Sequence, residues 1–462
     1  MLKLGSRTIA VLTSRRLVKE LFDQKGAIYS GRPPSYISDL IVGSNSVTFI
    51  DYGDIWKQLR REIYQYFMAS MCEKKHIHLI EAEQVQMMRD FLVQPQQHMR
   101  HPGRMTNSIL MSLVFGIRTE SYETPHFIGL GEFSKQWLAL LAFKGIPPVD
   151  YFPIFTWFPD SWFGNWTQKC LRLKGIKENF YRKLHSKIAA RRSAEGNRES
   201  FLDYLLDRQE ESGLSDTKIH YLASTMLEAG SSTTTNTVLT FIQAMTLNPT
   251  IQRRAQAQID TVCGEDRSPV WSDYSQLPYI SMIVKESLRW RSAGGIPHRL
   301  IKDDWVDGMF LPAGTTIILN IWGLNHDETM FSEPSTFNPD RYEGRTKLAT
   351  EYASSPDYEN RDHYSYGGGR RICPGIHLAE RTLFMAAAKL LWAFRFELDC
   401  DTAGNLIPID TDPLTGYTDG FSVDPKPFAC RVTPRSKTRE ETILREFAVA
   451  KAEVFSKYQD YE

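Results

Sequence analysis

The stretch Tyr366-Gly367-Gly368-Gly369-Arg370-Arg371-Ile372-Cys373-Pro374-Gly375 sets a single cysteine in a glycine-rich loop directly ahead of a helical pattern. Glycines there let backbone come close to a flat ligand. Loop amides and the positive end of the following helix are expected to stabilise a thiolate and lower the cysteine pKa, as an anionic metal ligand requires. Pro374 is expected in the first turn of that helix. A lone cysteine in such a turn is ordinarily just a small buried residue. An aromatic, then Gly, Arg, Cys and Gly at these offsets nevertheless arises by chance with odds on the order of one in a thousand or less.

Working outward, the 462 residues are enough for a large core, and Lys plus Arg balance Asp plus Glu at 55 each. The absence of net charge removes the electrostatic reason to expect nucleic acid, and a small apolar partner is expected instead. Cys72, Cys170, Cys263, Cys373, Cys400 and Cys430 are scattered without CxxC spacing. Neither a disulfide framework nor a zinc site is indicated. No stretch reaches the roughly 18 to 20 apolar residues of a membrane-spanning helix.

Leu2 to Thr13 is predicted as strand around a Gly-Ser turn, and Ser14 as the cap of a short helix. Helical patterns then dominate to about residue 290. The longest runs from about Asp216 to Leu247, ended by Asn248 and Pro249, and at roughly 30 residues spans roughly 45 Å. Aromatic residues crowd Val149 to Trp166, a segment expected mainly to be core, with a membrane or substrate entrance as the alternative. Strands are predicted again between His298 and Asn320. A long irregular stretch, Leu324 to Arg370, precedes the helix Ile376 to about Phe394, and a charged helical tail covers 437–458. No repeat or linker divides the chain, so the expectation is one mainly α domain with small β-sheets over 1–462.

The Cys373 loop resembles the haem-binding loop of the cytochrome P450 family, whose usual form has Phe where this chain has Tyr366. The resemblance implies that Cys373 is the axial ligand of a haem b iron, that Gly367 and Gly369 frame the cofactor, and that Arg371 pairs with a haem propionate. Trp56 and Arg60, four apart and so on one helix face, resemble the family's W-x-x-x-R, also propionate contacts. His298, after Pro297, matches a further one. Glu286 and Arg289 in Lys-Glu-Ser-Leu-Arg lie three apart and can pair. Phe337-Asn338-Pro339-Asp340-Arg341-Tyr342 resembles the segment that supplies Arg341 to that pair as a buried structural network.

Glu228-Ala229-Gly230-Ser231-Ser232-Thr233-Thr234 falls in the longest helix, where Gly230 costs about 1 kcal/mol relative to alanine. A threonine hydroxyl there can open the helix into a groove. The segment resembles the family's oxygen-binding motif, which implies that Gly230 lines the cofactor and that Thr233 helps deliver protons. Ser232 stands where the family usually has Asp or Glu, so proton delivery is expected to run through Ser232 and water.

The resemblance covers essentially the whole chain and is strongest to fungal members of secondary metabolism. It implies a monooxygenase that takes electrons from NADPH through a flavoprotein reductase, activates O2, and oxidises an apolar substrate such as a polyketide, terpenoid or phenol. Substrate walls are expected at Ser35 to Thr48, Val149 to Phe158, Ser292 to Ile296 and Tyr417 to Phe421. Lys57, Arg61 and Arg370 are read as solvated, or as a basic patch for an acidic reductase. The endoplasmic reticulum membrane is implied by the family alone, since the chain begins at the family's first sheet, after its usual anchor. Two other readings stand beside this one: a reductase-independent peroxygenase or isomerase, which Ser232 favours, and a haem-binding sensor or electron carrier.

Overall fold

A computed structural model of the chain describes residues 1–141, 146–292, 294–418 and 423–458. The N-terminal strands Leu2–Leu4 and Arg7–Leu12 form a hairpin at Gly5-Ser6. Arg7–Leu12 pairs in parallel with Thr316–Leu319, Leu12 opposite Leu319, and His298–Arg299 closes the other side of this four-stranded sheet. Asp304–Val306 and Met309–Leu311 make a two-stranded ribbon whose turn, Asp307-Gly308, has positive φ at both residues. That is the twist a two-residue hairpin favours. A third small sheet joins Phe394–Glu397 to Arg431–Pro434.

Helices make up the rest. Asp216–Leu247 is a single 32-residue helix whose N-cap, Ser215, accepts the Lys218 amide. Its flanks supply apolar core through Leu222, Ala223, Leu227, Phe241, Ile242 and Met245, all fully or nearly fully buried. Around this central helix pack His101–Phe115, Pro278–Trp290 and Ile376–Ala393, the last buried along most of its length about Trp392. A second, smaller core lies under the N-terminal sheet around Leu21, Phe22, Tyr29 and Leu300. The C-terminal helix Lys437–Glu453 lies against Ile77–Val93, and Phe455 just beyond it sits 3.5 Å from the Arg118 guanidinium.

The aromatic segment departs from its expected place in the core. Val149 and Trp166 are buried, but Trp157 is 83% and Trp162 69% exposed, with Ile154 and Phe158 also open. Short 3-10 turns at Pro153–Trp157 and Asp160–Phe163 supply no continuous face to bury them. The exposed strand Leu2–Leu4 is tied to the same region, where the Ser6 amide donates to the Tyr151 carbonyl at 3.0 Å.

Candidate active site

The Cys373 loop owes its shape to two left-handed glycines, Gly367 (φ 75°) and Gly369 (φ 61°). A Cβ on Gly369 would stand 2.4 Å from the Phe22 carbonyl oxygen, so this glycine serves the approach of backbone to backbone. The Cys373 amide donates to the Tyr366 carbonyl at 2.9 Å, closing the loop. Pro374 lies just ahead of the N-cap Gly375, and not inside the first turn of Ile376–Ala393. Burial pushes the Cys373 thiol above its ordinary pKa, outweighing the Gly375 amide and the Arg60 guanidinium, which pull it down. The lowering expected from the loop alone is therefore not reached without a further positive charge. The Tyr366 hydroxyl is buried with no hydrogen-bond partner, and its ring lies 5.5 Å from His363.

Beside this loop converge cationic side chains from distant parts of the chain. Trp56, in the helix Asp54–Phe67, carries the Arg371 guanidinium over its ring at 4.8 Å and that of Arg60 at 6.0 Å. Arg60 donates to the Ile372 carbonyl, and Arg371 to those of Ser30 (2.6 Å) and Ile50 (2.8 Å). His298 bonds the Tyr29 carbonyl through Nδ1 at 2.9 Å and stacks on Phe22 at 4.4 Å. Burial and then Arg32 hold its pKa down to about 3.

Arg32 is the residue sequence reasoning missed. Its guanidinium reaches the carbonyls of Thr48, Ile296 and Pro297 at 2.7–3.1 Å, and burial followed by Arg371 pushes it well below its usual range. Burial likewise lowers Arg371 to about 10, against Asp51, which raises it. Among the described residues none of the three guanidiniums makes an ion pair: Asp51 accepts the Arg32 backbone amide and pairs with Arg299. Cations withdrawn from water, one fully and two in part, and served only by carbonyls call for an anionic partner. The set fits a ligand bearing carboxylates, as haem does.

Opposite chemistry is offered by the middle of the central helix. Residues 222–227 and 238–246 are buried, yet 228–237 all retain exposure and Ala229 most of all, which marks open space against this part of the helix. The sequence predicts that the helix opens here; instead it runs regularly through 216–247, and the Thr233 hydroxyl donates back to the Ala229 carbonyl at 2.9 Å. Back-bonding satisfies the hydroxyl without breaking the ladder. At Gly230 a Cβ would stand 2.8 Å from Leu110 Cδ1 of the helix His101–Phe115. Ser231 and Thr235 face the same neighbour, bonded to Thr106. Ser232 is half-buried. One turn earlier, Glu228 pairs with Lys177 of the helix Trp166–Glu195 at 2.9 Å, a contact with no signal in the local sequence.

Glu286, Arg289 and Arg341 form one buried network. Arg289 makes two bonds to Glu286 (2.6 and 2.8 Å), Arg341 a third at 3.1 Å, and the Asn338 amide a fourth at 2.8 Å. Arg289 also donates to the Asn325 carbonyl, while the Asn325 side chain accepts the Tyr364 amide. The network thus braces the chain two residues before the Cys373 loop begins.

Of the expected substrate walls, Ser35 to Thr48 and Val149 to Phe158 meet through Asp150, which accepts from Tyr36 N at 2.7 Å and Ser35 Oγ at 2.9 Å. Residue 293 and residues 419–421 of the other two lie outside the described residues. Tyr417 is buried and bonds Gln243 of the central helix. Lys57 pairs with Asp54, Arg61 is exposed, and Arg370 donates to the Tyr52 hydroxyl.

Comparison with known proteins agrees with this geometry. The cytochrome P450 family model matches residues 1–428. Cytochrome P450 monooxygenase yanC of Aspergillus niger is 53% identical over 99% of this chain and 86% of its own length. Cytochrome P450 monooxygenase macC of Penicillium terrestre is 50% identical over 99% and 87%. A zebrafish cytochrome P450 structure with progesterone superposes with a TM-score of 0.75 at 23% identity, covering 94% of this chain and 95% of that one, a likeness of fold. A haem-ready cation cluster beside a framed cysteine and near full-length relatives of that name, half or more identical, lead to one conclusion: the chain belongs to the cytochrome P450 family, as a haem-thiolate monooxygenase.

Proposed function

We propose that Cys373 is the axial thiolate ligand of a haem b iron and that Arg32, Arg60, Arg371 and His298 hold its carboxylates. The observation that carries this reading is the convergence of three guanidiniums, Arg32 buried and Arg60 and Arg371 half-buried, none paired with an acid, beside one loop cysteine. When bound, the haem supplies dioxygen activation and oxygen insertion. The polypeptide does the rest. Trp56 fixes the planes of Arg60 and Arg371, Gly367 and Gly369 shape the loop that presents the sulfur, and Tyr366 closes that loop through its carbonyl. Glu286, Arg289 and Arg341 keep the preceding segment in place. Thr233 and Ser232 hold protons on the open side of the central helix.

Electrons reach the site from NADPH through a flavoprotein reductase, with Arg61 and neighbouring basic groups as the docking charge. The substrate is a small apolar molecule of secondary metabolism. No helix among the described residues is long and apolar enough to cross a membrane. Trp157, Trp162, Phe158, Leu2 and Leu4 are exposed apolar side chains of the kind that lie on a bilayer, which supports residence at the endoplasmic reticulum membrane. Reconstitution with an NADPH-dependent flavoprotein reductase tests the reading: dioxygen consumption that depends on both NADPH and reductase is expected. Equal turnover with hydrogen peroxide alone contradicts it.

A further inference from the structure

The central helix carries two carboxylates along its whole length, Asp216 at its start and Glu228 one turn before Ser232. Glu228 Oε2 accepts from Lys177 Nζ at 2.9 Å, and the lysine side chain is 3% exposed. Rings of Phe133, Tyr181 and Tyr221 surround that ammonium at 5.3–5.8 Å. Glu228 Oε1, by contrast, is buried and has only the Tyr181 hydroxyl near it, without a well-formed bond, while His185 Nε2 and Ser231 Oγ are buried with no hydrogen-bond partner. His185 stacks on His220 of the central helix at 3.7 Å. Buried polar atoms left unpaired are costly and rare. Those of Glu228, Tyr181 and His185 lie at the seam between Trp166–Glu195 and the central helix, a polar layer suited to water.

We propose that Glu228, held by Lys177, is the acid that relays protons to Thr233 in this chain, in the place of an acid at position 232. Residues four apart on a helix lie about 5–6 Å apart at Cβ, within reach of each other through one water. The Glu228 carboxylate takes a proton from solvent water while Lys177 holds its Oε2. The acid passes it to the Ser232 hydroxyl, which releases its own toward Thr233. Lys177 stays protonated throughout and the protons come from solvent, so neither residue changes over a turnover. The overall reaction consumes one dioxygen, two protons, two electrons from NADPH and one R–H, and yields R–OH and water. Glu228 acts through Ser232 and Thr233 and is a positioning and relay residue. The proposal rests on the role given to Thr233 above.

The test needs no known substrate. In the reconstituted, substrate-free enzyme, two electrons and two protons convert dioxygen to peroxide, whereas four of each convert it to water. Slow protonation therefore raises the peroxide formed per NADPH oxidised. Glu228→Gln keeps the shape of the side chain and its bond to Lys177. It is expected to cut water formation roughly tenfold, less than the ~10²–10⁴ of a sole acid–base group because Ser232 and water remain, and to enlarge the solvent deuterium effect. Adding Ser232→Asp should restore the wild-type peroxide yield. An unchanged peroxide yield in Glu228→Gln overturns the proposal, and so does a rise that Ser232→Asp fails to reverse, since a packing defect would not be cured by an acid one turn away. A rise in Asp424→Asn alone also overturns it, moving the relay to the loop that meets Asn236. If Glu228→Gln does not hold haem, Glu228→Asp takes its place in the same comparison. A wild-type protein that makes neither peroxide nor water from NADPH refutes the monooxygenase reading itself and not the relay.

Discussion

Cys373 sits where two opposing effects meet. Burial favours the neutral thiol, while the Gly375 amide and Arg60 favour the thiolate, and burial prevails in the polypeptide alone. An iron ion reverses the balance, because a coordinating thiol is deprotonated outright. Cys373→Ala is expected to abolish thiolate ligation and turnover, read by the absorption spectrum of the reduced carbon monoxide complex. Arg32 is held only by carbonyls at its guanidinium. Losing one charge-assisted bond of about 1.5–3 kcal/mol in Arg32→Ala should speed transfer of haem to an acceptor apoprotein by roughly 10- to 100-fold. A wild-type rate would remove Arg32 from the carboxylate set. Thr233→Ala should keep haem but raise peroxide per NADPH oxidised.

At the level of elements, the sequence was most informative where local chemistry decides. Ser14 caps the helix it precedes, as expected, and the central helix ends at Leu247 before Asn248 and Pro249. It was least informative where a neighbour decides. Gly230 packs against Leu110, about 120 positions away in the chain, whose Cδ1 must shift to admit any side chain there; Thr233 keeps the helix whole by bonding to Ala229. Gly230→Val is therefore expected to destabilise the protein by about 1–3 kcal/mol through overpacking, measured by thermal unfolding, with a smaller loss when Leu110→Ala is also present. Equal losses in both backgrounds would place the strain elsewhere. The exposed Trp157 and Trp162 follow the same rule: aromatic composition suggests core, but a prolyl segment of short turns has no face to bury.

Across the whole molecule, the mainly α architecture with small sheets was legible from spacing and from the resemblance, because motifs far apart in sequence keep their order. Arg32 was not, since nothing beside Gly31 and Pro33 announces that Thr48, Ile296 and Pro297 will enclose it. The Glu286–Arg289–Arg341 network ties the helix Pro278–Trp290 to the segment before the Cys373 loop. Glu286→Ala leaves Arg289 buried without its partner, at a cost of about 3–5 kcal/mol. Little or no holoprotein should then accumulate, judged by haem absorbance per protein; normal haem content would show that the network is dispensable. The central claim is a thiolate from Cys373 on a haem iron. It is tested most directly by the difference spectrum of the dithionite-reduced protein on adding carbon monoxide. A strongly red-shifted Soret band, absent in Cys373→Ala, is the predicted result; a band where histidine-ligated haems absorb would contradict it.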